Sequence, residues 1–250
     1  MRYKMIGIAL FGFTLVTSAP AQIATHSTSA ASTMVAGATL AGVTDVPLYI
    51  RVIDTTLYFG EVHGFSAGDG ILYQVSGTSS LSVGGGANLI RPGEAIFVPG
   101  AKDLVLKAEP GEPSIFLRFL LSPAANLNLR DFTFATGREI YRSTAPIQGL
   151  QRGKYLLSLT RVVLPPQTPL DPPHHRSGVA LHYVLSGRAI QVIGGKTITR
   201  ETGAISYEPA NMLYAWGNLG NVPLTYLVFN LSPENERPII ADDEPSENHL

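Results

Sequence analysis

Tyr73-Gln74-Val75-Ser76-Gly77 and Tyr183-Val184-Leu185-Ser186-Gly187 are one short strand and turn written twice, 110 residues apart (187 − 77 = 110). Working outward, Gly84-Gly85 answers to Gly194-Gly195, Gly93 to Gly203, Pro99 to Pro209 and Pro113 to Pro223. Arg51-Val52 stands against Arg161-Val162, and both copies close on Leu-Ser-Pro, at 121–123 and 231–233. One offset serves from residue 51 to residue 233 without a gap. Self-similarity at a fixed period marks a repeated structural unit, here two tandem units of about 80 residues each.

The texture of each copy is that of strands. Leu48 to Ile53, Ile71 to Val75, Ala95 to Val98, Ser114 to Leu121 and Tyr155 to Leu164 are apolar runs bounded by turn residues. Helical periodicity is confined to the segment around Arg138-Glu139-Ile140-Tyr141. Composition agrees: 45% apolar, 25 Gly and 18 Pro in 250 residues, with 15% charged side chains. That apolar share excludes a disordered chain. The absence of cysteine excludes a disulfide scaffold and cysteine-based zinc sites. A net charge of −1 gives no basic excess for nucleic acid.

The ends read differently. Arg2 and Lys4 precede an apolar run, Met5 to Val16, and Ala19-Pro20-Ala21 supplies a small-x-small cleavage site, the order of a secretory signal. Twelve helical residues reach only about 18 Å, short of a bilayer core of roughly 30 Å. The expected organisation is a signal at 1–21, a flexible lead-in at 22–44 and an N-terminal β unit at 45–123. A connector at 124–153, a C-terminal β unit at 154–235 and an acidic, disordered tail at 236–250 complete it. The mature protein is expected to be exported, periplasmic or extracellular, and free of the membrane after cleavage.

The spacing of turn residues resembles the cupin superfamily. Two cupin motifs, one built on histidines and a glutamate before a glycine, the other on a glycine, a proline and a histidine before an asparagine, fall in register on both copies. In the C-terminal copy the first falls on His174, Arg176, Ala180 and Gly187, and the second on Gly203, Pro209, Asn211, Tyr214 and Asn218. In the N-terminal copy the same frames fall on Gly64, Ser66, Gly70 and Gly77, then Gly93, Pro99, Ala101, Leu104 and Ala108, where only the structural Gly and Pro remain. The resemblance implies an all-β bicupin, two tandem jelly-roll barrels. It also implies a divalent metal held by three His and one Glu, and here only His174 keeps its ligand. Arg176 stays protonated and Ala180 has no donor.

Residues two apart on a strand share a face. His174, Arg176, Ala180 and His182 therefore share parity, and the expected ligand-binding residues are His174, Arg176, His182 and Tyr214. An unusual metal set of His174, His182 and Tyr214, binding a divalent or ferric ion, is the less favoured reading. A guanidinium inside a barrel must be paired, by Glu208 or by a bound anion. His175 is expected to face outward, Trp216 to pack, and His63, which maps onto Pro173, to lie at the surface. Three functions compete. The first is a small-molecule binder whose acidic organic ligand is clamped by Arg176. The second is an enzyme, either a metal-dependent oxygenase or isomerase with altered ligands or a metal-free acid–base catalyst using His174 or His182 and Tyr214. The third is a structural bicupin used for assembly. A monomer and a homodimer both fit the sequence.

Overall fold

Short apolar runs rich in β-branched and aromatic residues pair as strands because their side chains pack well on a pleated surface. The computed structural model describes residues 30–65, 68–83, 86–100, 104–128 and 136–242. The signal at 1–21, Ser66 and residues 243–250 lie outside them. The first half forms β1 (Ala31–Leu40), β2 (Leu48–Leu57), β3 (Val62–Phe65), β4 (Gly70–Ser76) and β5 (Ser79–Val83). It continues with β6 (Gly86–Ile90), β7 (Ala95–Val98), β8 (Leu104–Ala108), β9 (Ser114–Pro123) and β10 (Thr136–Arg142). The second half forms β11 (Tyr155–Leu164), β12 (His174–Arg176), β13 (Val179–Ser186), β14 (Arg188–Ile193) and β15 (Lys196–Glu201). It ends with β16 (Ile205–Glu208), β17 (Tyr214–Gly217), β18 (Leu224–Pro233) and β19 (Ile239–Ala241). The fold is all-β, with no α-helix among the described residues and one 3-10 turn at Ala124–Asn126.

Two barrels result, each of two facing sheets. The N-terminal barrel has sheets ordered β10-β2-β9-β4-β7 and β3-β8-β5-β6, and the C-terminal one β1-β11-β18-β13-β16 and β15-β14-β17-β12-β19. Copying one order onto the other sets β2 on β11, β9 on β18, β4 on β13 and β8 on β17. Gly77 and Gly187 turn with φ of 64° and 87°, a region that L side chains rarely enter. A Cβ on Gly68 or on Gly178 would collide with the backbone carbonyl of Leu121 or of Leu231. The repeated glycines are therefore fixed by close backbone approach.

The single offset needs correction at its N-terminal end. Phe119 and Phe229 are 110 apart, but Phe119 pairs with Val52 while Phe229 pairs with Leu159, so the first strands differ by 107 (159 − 52). Phe65 pairs with Leu104 and His174 with Tyr214, which gives 109 for β3 and β12 (174 − 65). The constant 110 begins only at β4. A one-residue slip moves every side chain to the other face of a strand. His63, expected at the surface, is 1% exposed, pairs with Leu106 and lies with its ring 6.2 Å from Phe116; the corrected offset sets it on the exposed Pro172, so its burial has no counterpart in the other copy.

Three segments differ from expectation. The lead-in at 22–44 is not all flexible, since β1 pairs with β11 from Ala31↔Val163 to Leu40↔Tyr155. The helical periodicity around Arg138 belongs to strand β10, which pairs with β2. The start of the acidic tail is ordered, because β19 pairs with β12 at His174↔Ala241 and Arg176↔Ile239. The exchange is reciprocal: the strand before each barrel pairs with the other barrel's first long strand. The faces that the barrels turn to each other form one apolar core. It contains Ile50, Val52 and Ile71 from one barrel and Leu157, Leu159 and Leu181 from the other, and Phe119 stacks on its repeat partner Phe229 at 5.5 Å. Both faces of β9 and β18 are therefore buried.

Candidate functional site

In the C-terminal barrel the even-numbered side chains of β11, β13, β16 and β18 point inward, away from that shared core. Register places Thr160, Val228, His182 and Ser206 in one cross-strand row, and Ser158, Asn230, Ala180 and Glu208 in the next. His174 and Arg176 come from β12 on the facing sheet and Trp216 from β17. Among them lies a cavity of about 350 Å³. Its polar lining is chiefly Asp171, His174, Arg176, His182 and Asn230; Trp216, Tyr226, Leu156, Val162 and Val228 supply aromatic and apolar wall, and Ser32 and Met34 of β1 reach it too.

Glu208 organises the interior. It has no exposed surface; its carboxylate accepts from Arg176 Nε at 2.7 Å, Trp216 Nε1 at 2.6 Å and Gln191 Nε2 at 3.2 Å, and lies 2.9 Å from His182 Nε2, which is also in hydrogen-bond contact with Arg176 Nη2 at 3.1 Å. Burial alone would raise its pKa, but the adjoining His182 and Arg176 outweigh burial and hold it well below the ordinary carboxylate range. Burial lowers the pKa of His182 below that of free imidazole, with the Glu208 carboxylate opposing the shift and the Arg176 cation adding to it. The His182 ring is stacked on Trp216 at 4.4 Å and on Tyr226 at 5.5 Å, so its orientation is fixed. At the rim, Asp171 Oδ1 accepts from the Trp216 backbone N–H at 2.5 Å, and Oδ2 lies 3.7 Å from His174 Nδ1.

The structure brings His174, Arg176 and His182 to one cavity. Tyr214 is buried beside His174 but does not line it: its hydroxyl donates to the Pro209 carbonyl at 3.2 Å, and burial raises its pKa strongly. It is therefore placed neither to coordinate an ion nor to serve as the acid of an acid–base pair. The second motif's Asn218 is structural, its amide donating to the carbonyls of Leu164, Pro165 and Val222. His175, expected to face outward, is half-buried; Trp216 packs and also forms cavity wall. Sequence reasoning missed Tyr226, Asn230 and Gln191 as interior polar or semi-polar groups. The available signal was contrast between the copies. At the 110 offset Glu208, His182, Trp216, Tyr226, Gln191 and Asn230 stand against Val98, Leu72, Leu106, Phe116, Leu81 and Leu120. Five of those six, all but Leu120, belong to the apolar cluster that fills the N-terminal barrel.

The cupin resemblance implies a divalent metal, and the residues present do not fit one. The guanidinium of Arg176, a permanent cation, already sits on the Glu208 carboxylate that would attract an ion, with Nη2 3.1 Å from His182 Nε2. His182 Nε2 is committed to Glu208 and the Tyr214 hydroxyl to Pro209. No group of three or more His, Cys, Asp or Glu among the described residues is arranged to hold an ion.

The Cupin domain family matches residues 160–230, from within β11 to within β18. The C-terminal barrel is a cupin domain. No curated protein matches the chain. The two-barrel cupin fold is shared with solved structures of oxalate decarboxylases. One is the Bacillus subtilis enzyme at pH 4.6, with a TM-score of 0.56, 12% identity and coverage of 82% of this chain and 73% of that one. Another is the Lactobacillus farciminis enzyme in a formate complex, with a TM-score of 0.55, 13% identity and coverage of 78% and 79%. A serine-to-alanine mutant of the Bacillus subtilis enzyme gives 0.57 at 12% identity, covering 78% and 71%. Identity this low speaks for the bicupin fold alone.

Proposed function

We propose that this cupin is a small-molecule binder whose C-terminal barrel holds one organic ligand, while its N-terminal barrel is structural. The observation that carries the reading is the contrast between the two interiors. One encloses about 350 Å³ walled by aromatic and apolar groups with a few convergent polar ones, which is the composition of ligand pockets. The other carries valine, leucine and phenylalanine at the positions that match Glu208, His182, Trp216, Tyr226 and Gln191, although it too buries His63 and Arg118. The N-terminal Arg2, Lys4, apolar run and Ala19-Pro20-Ala21 support the further proposal that the protein works after export, its mature chain beginning at Gln22. N-terminal sequencing of protein from the exported fraction reads this directly, and a chain retaining Met1 there overturns it.

A thermal-shift screen of small organic compounds tests the cavity. Val228 lines it, so Val228→Phe occupies the space a ligand needs. Compounds that raise the melting temperature of the native protein should leave that of Val228→Phe unchanged. Equal shifts in both would place binding elsewhere and end the proposal. An acid–base enzyme is the second reading, favoured by His182, a titratable side chain that lines the cavity and whose Nδ1 has no partner among the described residues. Turnover of a bound compound that disappears in His182→Gln, with binding kept, would promote it.

A further inference from the structure

We propose that the tail strand β19 is a strap across the mouth of the C-terminal cavity, and that a ligand enters between β19 and β1 when the strap parts from β12. This rests on the cavity being a ligand site, as proposed above, and adds how that site is reached.

The two sheets of the C-terminal barrel meet along two seams. At one seam the terminal strands are β15 and β16, consecutive in the chain and joined by the turn at 202–204. That seam is laced: the Ala204 N–H donates to the Glu201 carbonyl at 2.9 Å, and Arg200 donates to Gln191 at 2.9 Å and to Ser206 Oγ at 3.3 Å. At the other seam the terminal strands are β1 and β19, from opposite ends of the chain. Each pairs with its own sheet, β1 with β11 and β19 with β12, and no hydrogen bond joins β1 to β19 among the described residues. The cavity comes to the surface at this seam, where Ser32 and Met34 line one lip and Pro238 and Ile239 the other. Met34 is 59% exposed and Ile239 52%.

The strap is held weakly. β19 is 3 residues long, against 10 for β11 and for β18, and none of its side chains is fully buried. Local opening costs least where few apolar contacts and solvent-exposed backbone bonds hold a segment. β19 also abuts the strand that presents His174 and Arg176 to the cavity, with His174↔Ala241 and Arg176↔Ile239 in register. The N-terminal barrel supplies the contrast. There β3 stands where β12 stands, and its sheet ends on β3 among the described residues. That interior is filled by apolar side chains. The additional strand accompanies the barrel that has a cavity to close.

The register supplies variants that release the strap or fasten it. The Arg176 carbonyl accepts from the Asn211 N–H, on the side of β17. Backbone groups alternate along a strand, so those of His175 turn toward β19 and exchange both hydrogen bonds with Ile240, its register partner. Ile240→Pro removes one of those donors and should free the strap. Trp216, the only tryptophan, lines the cavity and is 2% exposed, so quenching of its fluorescence by acrylamide reads access to the interior. The quenching constant should rise several-fold in Ile240→Pro, with the melting temperature unchanged because β19 has no fully buried side chain. The fastened form is His175→Cys combined with Ile240→Cys. Both positions face away from the cavity, their Cα atoms at about 5.5 Å lie within disulfide range, and the native chain has no thiol to compete. The oxidised double variant should be quenched less than the same protein reduced. Equal quenching in the native chain, in Ile240→Pro and in both redox forms overturns the proposal. So does a rise in Ile240→Pro that comes with a lower melting temperature and no difference between redox forms, because the whole barrel has then loosened. No ligand takes part in these measurements, so a failure here is distinct from a failure of the thermal-shift screen that tests the cavity as a ligand site.

Discussion

Glu208 and Arg176 are stable inside the barrel only as a pair. Each is almost fully buried, and two opposite charges removed from water hold only while they remain together. Glu208→Gln leaves Arg176 as a buried, uncompensated cation and should lower the unfolding free energy by about 3–5 kcal/mol in urea titration. Arg176→Met combined with Glu208→Leu should recover most of that loss, since two apolar side chains need no partner. A loss below about 1 kcal/mol for Glu208→Gln would show that the pair braces nothing. The need for such a partner was legible in the sequence, because a guanidinium at inward parity cannot stay unpaired, and Glu208 was in reach as that partner. Its consequence was not legible. Which donors converge on Glu208 depends on the Ala180↔Glu208 register and on a facing sheet that carries Arg176, Trp216 and Gln191. No single strand contains that information, so the sequence could offer Glu208 and a bound anion only as alternatives for Arg176. His63 failed because the repeat sets it on an exposed proline ahead of β12, whereas in its own barrel it belongs to strand β3.

At the scale of elements, the strands that were legible are those with both ends in the repeat; the three that were missed lie outside it, β19 in the tail and the two exchanged edge strands β1 and β10. Ala31–Leu40 reads Ala-Ser-Thr-Met-Val-Ala-Gly-Ala-Thr-Leu, and most of it is exposed or half-buried, so selection left no apolar alternation to find. Thr136–Arg142 is held by pairing with β2, by the Arg51–Glu139 and Arg142–Glu139 ion pairs and by only Ile140 and Tyr141, adjacent in sequence, packed against the shared core. Such strands are specified by the edge they cover. β1 nevertheless buries Leu40 in the shared core and hides the edge of β11, which would otherwise offer unpaired backbone to other chains. A chain beginning at Ala41 should lose at least the burial of Leu40, about 2 kcal/mol, and melt roughly 4–8 °C lower. It should also associate at concentrations where the native chain does not. An unchanged melting temperature would restore residues 31–40 to the status of a dispensable lead-in.

For the whole molecule, the repeat creates a bond between barrels as well as a pair of barrels. Because β10 leaves the connector to pair with the N-terminal barrel and β1 precedes that barrel to pair with the C-terminal one, each sheet is completed by a strand adjoining the other. Their outward faces are apolar and meet in one core, with Phe119 and Phe229 stacked as repeat partners at its centre. Neither barrel can separate without exposing that core to water, so the two should unfold as one cooperative unit. Trp216, the only tryptophan, sits in the C-terminal interior and reports on that barrel alone. Phe119→Ala, made in the N-terminal barrel, removes a fully buried ring and should cost about 3–5 kcal/mol. In urea the midpoint read by Trp216 fluorescence should fall together with that read by far-ultraviolet circular dichroism, since loss of packing on one side of the shared core is felt on both. A tryptophan midpoint that stays in place while the dichroism splits into two steps would mean that the barrels are independent domains. The shared core would then be a contact surface, and the structural role assigned to the N-terminal barrel would fall with it.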